Sequence, residues 1–290
     1  YIYDACVGNE NDNLDNFFHK SKRLPSGMLQ TGVSDQRILE VVSDFDAVGI
    51  TSIFSQQETQ VLRCAKLIKK HFPEKLLFSG GVNARSRKHL FFHSGFDVIC
   101  TSESENTIKE LATEMKKKHP DFRNVGKIYF KEQNGRIVNN SKHGKIIMNL
   151  DDLPIPAWEM LPNERYWQIG RPHGGNFKPG TKLRYASVMT SRGCPFSCSY
   201  CHISDEIAGS EAGAIGKFRI KSDDRVLQEF NILKNKIGAK QVYIEDDSIL
   251  GFKHRAIRLL KKMIGMGLDL MDVNGINMIH LVKKSDRRGW

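Results

Sequence analysis

Apolar residues in the first half of the chain alternate between two kinds of pattern. Residues 46–53 and 97–101 are short apolar runs, which are typical of buried strands. Residues 57–72 carry apolar side chains at helical spacing, and a later helix at 105–118 has Ser104 as its predicted cap. The predicted order is strand 46–53, helix 57–72, strand 76–78, helix 86–93, strand 97–101 and helix 105–118. Strands separated by helices predict a parallel, doubly wound α/β sheet that binds ligands beyond the carboxyl ends of its strands.

The second half begins another strand–helix repeat. The predicted elements are strand 184–190, helix 223–237, strand 241–244, helix 254–266 and strand 269–276. This repeat is typical of a parallel (β/α) barrel, although a complete barrel needs about 250 residues. The chain also opens at Tyr1–Asp4 as if in the middle of a strand. Both ends therefore predict a fragment of a longer protein.

The stretch between the halves, residues 122–183, predicts a connector. Residues 127–132 and 136–138 alternate like strands around Asn134-Gly135, a hairpin turn signal. The prolines within residues 150–158 favour an extended path. Residues 170–180 are rich in Gly, Pro and His and are predicted to form a loop.

Composition narrows the class of protein. The chain is 40% hydrophobic and 27% charged, which is ordinary for a soluble protein. It has no apolar run long enough for a membrane span and no secretory signal, which predicts a cytoplasmic protein. Although the net charge is +11, its positive residues are scattered. The densest runs, 116–118 and 283–288, fall at a helix end and a chain end, so no nucleic-acid partner is predicted.

The six cysteines do not suggest a disulfide scaffold. Cys64 and Cys100 are predicted to be buried as small hydrophobes, and Cys6 is undecided. The other three have the spacing Cys-x3-Cys-x2-Cys, at Cys194, Cys198 and Cys201, directly after the strand 184–190.

Thiolates hold iron–sulfur clusters, and three ligands on one loop leave one iron of a four-iron cluster open to a small molecule. Two other interpretations are a Cys3His zinc site that includes His202 and a redox-active pair of cysteines. Zinc ligands usually come as two separated pairs, so the spacing favours the cluster.

The cysteine spacing, with Tyr200 just before the last cysteine, resembles the radical S-adenosylmethionine (SAM) superfamily. The resemblance implies a [4Fe-4S] cluster whose open iron holds the amino and carboxylate groups of SAM. It further implies reductive cleavage of SAM to a 5′-deoxyadenosyl radical, with Tyr200 near the adenine. An electron donor such as flavodoxin or ferredoxin would then be a partner.

The acidic run Glu245-Asp246-Asp247 follows the strand 241–244, where radical SAM proteins often carry Gly-Gly-Glu to bind the SAM ammonium group. The resemblance implies that Asp246 or Asp247 is the ammonium partner, and the alternative is a solvated acidic turn. Arg219 is predicted either to face the SAM carboxylate or to pair on the surface, with the surface favoured.

Two loops of the first half resemble cobalamin-binding domains. Thr51-Ser52-Ile53, followed after 26 residues by Gly80-Gly81, is similar to their Ser-x-Leu…Gly-Gly pattern. Glu103-Ser104-Glu105 stands where cobalamin-type radical SAM proteins commonly carry Gly-Glu-Gly-Glu. These loops are therefore expected to contact cobalamin through Thr51, Ser52, Ile53, Gly80, Gly81, Glu103 and Glu105.

The resemblance to the cobalamin-dependent radical SAM class covers nearly the whole chain. It implies a Rossmann-like cobalamin-binding domain at 1–121, a connector at 122–183 and a partial radical SAM barrel at 184–290. The loop that offers a lower-ligand histidine in other cobalamin proteins would lie upstream of Tyr1. The chain's own candidates are predicted to be surface histidines: His19, His71, His89 and His93.

The reaction implied by this class is methyl transfer to an unactivated centre of a small-molecule substrate. Oxidative cyclisation or rearrangement by the same kind of enzyme is one alternative. A non-catalytic module that binds a metal and cobalamin is the alternative from another class. The acidic run at 245–247 argues against that module, because a structural site needs no partner for the SAM ammonium group.

Overall fold

The computed structural model describes residues 1–17, 20–25, 27, 29–169, 183–206 and 210–277. Its strands are β1 (Lys22–Arg23), β2 (Leu29–Gln30), β3 (Ala47–Thr51), β4 (Leu76–Gly80), β5 (Val98–Cys100), β6 (Ile128–Lys131), β7 (Ile137–Asn139), β8 (Tyr185–Val188), β9 (Ser191–Arg192), β10 (Arg219–Ile220), β11 (Gln241–Ile244) and β12 (Asp269–Asp272). Its α-helices are α1 (Leu14–Phe17), α2 (Asp35–Ser43), α3 (Glu58–His71), α4 (Val82–Ser86), α5 (Lys88–His93), α6 (Glu105–Met115), α7 (Asn163–Ile169), α8 (His202–Asp205), α9 (Asp223–Ile232) and α10 (Lys253–Met263).

The chain divides into two compact units. The first, called here the five-stranded unit, comprises residues 33–147 and 205–215. The second, the three-stranded unit, comprises the described parts of residues 1–32, 148–204 and 216–290. Parallel strand pairs dominate both units, so the predicted mixed α/β fold is confirmed.

The five-stranded unit has the strand order β3-β4-β5-β6-β7. β3, β4 and β5 are parallel, whereas β6 and β7 form the predicted antiparallel hairpin. Strand alternation places Ile99 in a core with α3 and α5, and its neighbours Val98 and Cys100 in a second core with Leu111 of α6. Helices therefore cover both faces of this sheet.

The described parts of residues 205–215 pack within the five-stranded unit through two glutamates. The buried Glu206 carboxylate pairs with Arg85, and Glu211 pairs with Lys88 at 3.4 Å. The Tyr129 hydroxyl donates to Glu211 Oε2 at 2.7 Å. Burial and the nearby Glu211 charge raise the pKa of Tyr129 to about 12, so the phenol stays protonated at neutral pH.

The three-stranded unit has the order β12-β11-β8, with all three strands parallel. The register aligns Val188, Ile244 and Asp272, so the carboxyl ends of the strands are level. Val188 and Ile244 point into a core formed with α9 and α10. Chemistry borne by the loops after these strands is therefore gathered at one edge of the sheet.

Two tryptophans bond to the edge of β8 that is not paired with β11. Trp158 Nε1 donates to Ser187 O at 3.0 Å, and Trp167 Nε1 donates to Tyr185 O at 2.8 Å. Each indole is buried and satisfies its one donor on a strand carbonyl. The segment that carries these tryptophans is thereby fixed to the sheet.

Residues 150–154 are fixed to α9 by a buried charge cluster. Arg225 donates to Leu153 O at 2.7 Å and to Pro154 O at 2.8 Å. Its Nε also bonds to Glu229, a fully buried carboxylate that pairs with Lys221 at 2.6 Å. The cluster compensates the charges that it buries, as such pairs must.

The structure differs from the sequence expectations in several local features. The two halves of the predicted connector lie in different units, because β6 and β7 extend the five-stranded sheet while residues 150–169 bind β8 and α9. Tyr1–Asp4 is not a strand. Ser104 stands at the start of α6, but its hydroxyl bonds to Ser102 O and caps no helical N–H. The helix expected at 86–93 begins earlier, at Val82, and is interrupted at Arg87.

Other expectations are confirmed or cannot be judged from the described residues. His71, His89 and His93 are exposed, and Cys100 is buried, as predicted. Cys64 is only half-buried, in contrast to the prediction that it is buried, and Cys6 is exposed. No helix in the described part of the chain is long and apolar enough to cross a membrane. The loop predicted at 170–180, His19 and the basic run 283–288 lie outside the described residues.

Asp223 predicts a pH-dependent contribution to stability. It pairs with Arg258 at 2.7 Å and Lys262 at 2.9 Å, and these bonds lower the pKa of its carboxyl from 3.8 to about 2. A depressed folded-state pKa stabilises the protein above the unfolded value, so this contribution is lost as the pH falls from about 4 to about 2. We expect Asp223→Asn to lower the free energy of unfolding at neutral pH by about 1 kcal/mol, allowing for solvent screening.

Urea unfolding at pH 6 and at low pH measures this difference. Asp224→Asn is the matched control, because Asp224 is the next residue and is exposed. Equal pH dependence in the Asp223→Asn variant and the wild type would contradict the assignment.

Candidate functional site

The cysteine loop begins at the carboxyl end of β8. Ser191 and Arg192 form β9, which pairs antiparallel with β10 so that Arg192 lies opposite Arg219. Gly193 follows with φ +77°, where a Cβ would lie 2.5 Å from Lys217 O. Cys194 N then donates to Gly216 O at 3.1 Å. The short β9–β10 ribbon and the glycine therefore set the direction in which the loop leaves the sheet.

The three cysteines lie on one loop and are all half-buried, free thiols. A turn between Cys198 and Cys201 is closed by a 3.1 Å bond from Cys201 N to Cys198 O. Burial, together with the charges of Asp247, Cys198 and Cys201, raises the pKa of the Cys194 thiol. No group of three His, Cys, Asp or Glu side chains among the described residues converges closely enough to enclose a single metal ion.

A buried polar network lies beneath the start of this loop, and sequence reasoning missed it. Asp246, 1% exposed, accepts from the backbone N–H and Oγ1 of Thr190 and from Ser191 Oγ, with distances of 2.5 to 2.7 Å. Arg255 of α10 is also 1% exposed and donates to Thr190 Oγ1 at 2.8 Å and to Lys221 O at 3.0 Å. Burial lowers the pKa of the Arg255 guanidinium, while Asp246 and Asp223 raise it.

Because side chains alternate along an extended chain, the three residues of the acidic run have different surroundings. Glu245 Oε1 accepts from Ser187 Oγ at 2.9 Å, whereas Asp246 points toward Arg255. Asp247 is exposed; desolvation by neighbouring groups raises the pKa of its carboxyl, and the Gly193 backbone N–H and His202 lower it. Of the two candidates for the SAM ammonium partner, Asp247 is accessible and Asp246 is already used within the protein.

Two other predicted residues of this site differ in exposure. Arg219 is 5% exposed, so the surface pairing favoured from sequence is wrong. Its Nε donates to Lys217 O at 3.2 Å, because its position on β10 turns the side chain inward. Tyr200 is 91% exposed, and its contact with an adenine stays a prediction.

The structure brings the Thr51–Ile53 and Gly80-Gly81 loops together at the carboxyl ends of β3 and β4. Ser52 is fully buried: its N–H donates to Gly80 O at 2.9 Å, and its Oγ accepts from Asn83 Nδ2 at 3.0 Å. Gly81 has φ +101°, and a Cβ there would lie 2.4 Å from Ser52 O. Ser52 and Gly81 thus hold the two loops to each other.

The residues on either side of Ser52 face outward. Thr51 is exposed, and Ile53 is 51% exposed despite its apolar side chain. Ser102, after β5, has a buried Oγ with no hydrogen-bond partner among the described residues. Glu103 and Glu105 on the same loop are half-buried. An exposed aliphatic side chain and an unsatisfied hydroxyl, on loops at the same edge of the sheet, are features that a large, partly polar ligand could cover.

Three curated relatives are similar to this chain, and all are methyltransferases by name. An uncharacterised methyltransferase of Pyrococcus horikoshii is 30% identical over 237 residues, which is 80% of this chain and 47% of that protein. Cytidylyl-2-hydroxyethylphosphonate methyltransferase of Streptomyces wedmorensis is 27% identical over 83% of this chain and 47% of that protein. The cobalamin-dependent radical SAM methyltransferase TokK of Streptomyces tokunonensis is 30% identical over 48% of this chain and 19% of that protein.

Solved structures share the fold. The cobalamin-dependent SAM radical enzyme OxsB, with aqua-cobalamin bound, matches 80% of this chain and 31% of its own at a TM-score of 0.62 and 18% identity. The radical SAM methyltransferase TsrM of Kitasatospora setae, with cobalamin and a [4Fe-4S] cluster bound, matches 79% of this chain and 43% of its own at a TM-score of 0.54 and 15% identity. No protein-family profile matches the chain. The chain spans about half the length of the first two curated relatives.

Gly81 predicts a stability test for the paired loops. Gly81→Ala introduces a Cβ against Ser52 O at a positive φ, so we expect a loss of about 2 kcal/mol or more in the free energy of unfolding. Gly135→Ala is the matched control, because φ there is +86° and nothing lies within 4 Å of a Cβ. The control should lose only about 1 kcal/mol. Equal losses in urea unfolding would show that the contact with Ser52 is unimportant.

Proposed function

We propose that this chain is the cobalamin- and cluster-binding part of a cobalamin-dependent radical SAM methyltransferase. The observation that carries the proposal is the loop bearing Cys194, Cys198 and Cys201 at the carboxyl end of a parallel strand, with its first residues anchored by Asp246. The methyltransferase relatives and the shared fold also support it.

The donor set fits an iron–sulfur cluster. Three half-buried thiols lie on one short loop, and burial, with a smaller contribution from neighbouring negative charge, raises the pKa of Cys194. A cationic iron centre would hold all three side chains as thiolates. We assign these cysteines as ligands of a [4Fe-4S] cluster, which supplies an electron for the reductive cleavage of SAM when it is bound.

The exposure of side chains, and their alternation along the chain, indicate which residues would contact bound SAM. Asp247 is the accessible acid after β11 and is proposed to accept the SAM ammonium group, with Glu245 beside it. Tyr200 is proposed to cover the adenine, since its ring is open to a ligand. Arg219 is proposed to act from beneath the loop, because its side chain is buried.

The loops of the five-stranded unit fit cobalamin. Thr51 and Ile53 offer an exposed hydroxyl and aliphatic surface, and the buried Ser102 Oγ lacks a partner among the described residues. Ser52, Gly80 and Gly81 hold the first two loops together, and Glu103 and Glu105 are half-buried on the loop after β5. Cobalamin, when bound, supplies the methyl group for transfer.

The wider organisation is proposed from the same resemblance. Within the bounds predicted from sequence, the five-stranded unit would form the compact part of the cobalamin-binding domain at 1–121, and the three-stranded unit would form part of the radical SAM barrel at 184–290. The connector at 122–183 would contribute residues to both units. The protein would act in the cytoplasm on a small-molecule substrate, with flavodoxin or ferredoxin as electron donor. The substrate is proposed to be methylated at an unactivated centre.

Anaerobic reconstitution with iron and sulfide tests the cluster assignment. We expect about four irons per chain and an electron paramagnetic resonance signal that changes when SAM is added. Alanine at Cys194, Cys198 or Cys201 should lower the iron content and abolish the SAM-dependent change. Cys6→Ala is the matched control, because Cys6 is an exposed, free thiol outside the loop.

Two outcomes would redirect the proposal. One zinc per chain without a cluster would indicate a structural Cys3His site that includes His202, and therefore a binding module. In the intact enzyme, a methylated product with S-adenosylhomocysteine as coproduct indicates methyl transfer. A cyclised or rearranged product without it would indicate the alternative reaction of the same class.

A further inference from the structure

Several side-chain hydrogen bonds converge on the junction between β8 and the cysteine loop. Thr190 and Ser191 are both buried and lie only a few residues before Cys194. Lys221 N also donates to Thr190 O at 3.0 Å, which joins the end of β10 to the same junction. Any shift of Thr190 is therefore carried directly to the start of the loop.

Asp246 is committed to this junction by both carboxylate oxygens. Oδ1 accepts from the Thr190 N–H at 2.5 Å, and Oδ2 accepts from Thr190 Oγ1 and Ser191 Oγ at 2.6 and 2.7 Å. The residue is 1% exposed, so a ligand would have to displace these donors to reach it. A carboxylate that already accepts three hydrogen bonds stabilises the local backbone, and it is not available to accept a hydrogen bond from a ligand.

Arg255 completes the junction from α10. Its guanidinium donates to Thr190 Oγ1 at 2.8 Å, to Thr190 O at 3.2 Å and to Lys221 O at 3.0 Å. It is the largest fully buried side chain in the described residues, and Asp246 and Asp223 are the charges that favour its cationic form. One side chain thus ties β8, β10 and α10 together, with the Thr190 hydroxyl relaying between Arg255 and Asp246.

We propose that Asp246 and Arg255 are positioning residues that fix the cysteine loop, and that Asp246 does not contact SAM. The assignment of the loop to a cluster rests on the proposed function, but the positioning role belongs to the protein without any cofactor. The acids beside Asp246 have other surroundings: Glu245 accepts from Ser187, and Asp247 is exposed and interacts with the Gly193 N–H. The acidic run thus combines one fully buried anchor with an exposed acid that a ligand can reach.

Hydrogen exchange of the Thr190 amide in the cofactor-free chain tests this role. Asp246→Asn keeps the shape but replaces an acceptor of two hydroxyls by an NH2 donor, so we expect exchange to quicken by about tenfold or more. Arg255→Lys, which cannot reproduce the forked contacts, should quicken it in the same direction. Thermal unfolding checks that each variant is folded. If one of the two variants does not fold, the exchange rate of the other is sufficient to test the positioning role.

Two matched controls separate positioning from charge. Arg258→Lys alters an arginine on the same helix whose side chain is 57% exposed and pairs with Asp223. Asp247→Asn alters the neighbouring acid. Neither substitution should change the exchange of the Thr190 amide.

The reconstituted protein gives the second measurement. Asp246→Asn and Arg255→Lys should lower the number of irons bound, whereas Asp247→Asn should retain iron and weaken the SAM-dependent change in the resonance signal. Unchanged Thr190 exchange in both positioning variants would overturn the proposal. So would an Asp246→Asn protein with full iron content and no response to SAM. If neither the wild type nor any variant forms a cluster, the proposed function is wrong. The exchange measurement still tests the positioning role, because it is made on the cofactor-free chain.

Discussion

The three-stranded unit depends on a carboxylate and a guanidinium that are buried together. Asp246 and Arg255 lie on different elements and meet through the Thr190 hydroxyl. Each charge alone would be expensive to remove from water, and the pair is tolerated because both Asp246 oxygens and both terminal nitrogens of Arg255 make directed hydrogen bonds. The network stands at the point where a regular sheet gives way to an irregular loop. There it supplies the order that strand pairing can no longer provide.

Much of the fold could be predicted because apolar periodicity is a direct record of burial. The strand at 241–244 has the predicted bounds, and the hairpin around Asn134-Gly135 forms as expected. The different orientations of residues 245, 246 and 247 could also have been predicted from the sequence. Ile244 faces the core, so a residue two positions later faces the same side in an extended chain. That reasoning separates Asp246 from its neighbours without any structure.

Arg255 shows why the rest could not be predicted with the same ease. It shares a helix face with Leu259 and Met263, both buried, and so occupies a core position by spacing. When a charged residue falls at a core position of a predicted helix, the usual inference is that the buried face of the helix has been assigned wrongly. Its partners are carbonyl and hydroxyl groups of Thr190 and Lys221, which are distant in sequence and carry no motif. Tertiary polar contacts of this kind leave no periodic trace. Similarly, the motif around Ser52 and Gly81 identified loops that meet, but its spacing does not indicate that Ser52 packs against Gly81 while Thr51 and Ile53 are exposed.

The two indoles on β8 have a further consequence. A strand with a free edge exposes carbonyl and amide groups that can recruit a strand from another molecule. At Tyr185 and Ser187 the outward carbonyls are already occupied by Trp167 and Trp158, whose bulky rings also deny the space that an incoming backbone would need. The tryptophans thus protect the sheet against intermolecular strand addition. They achieve with side chains from residues 158–169 what other sheets achieve with a proline, a bulge or a row of lysines.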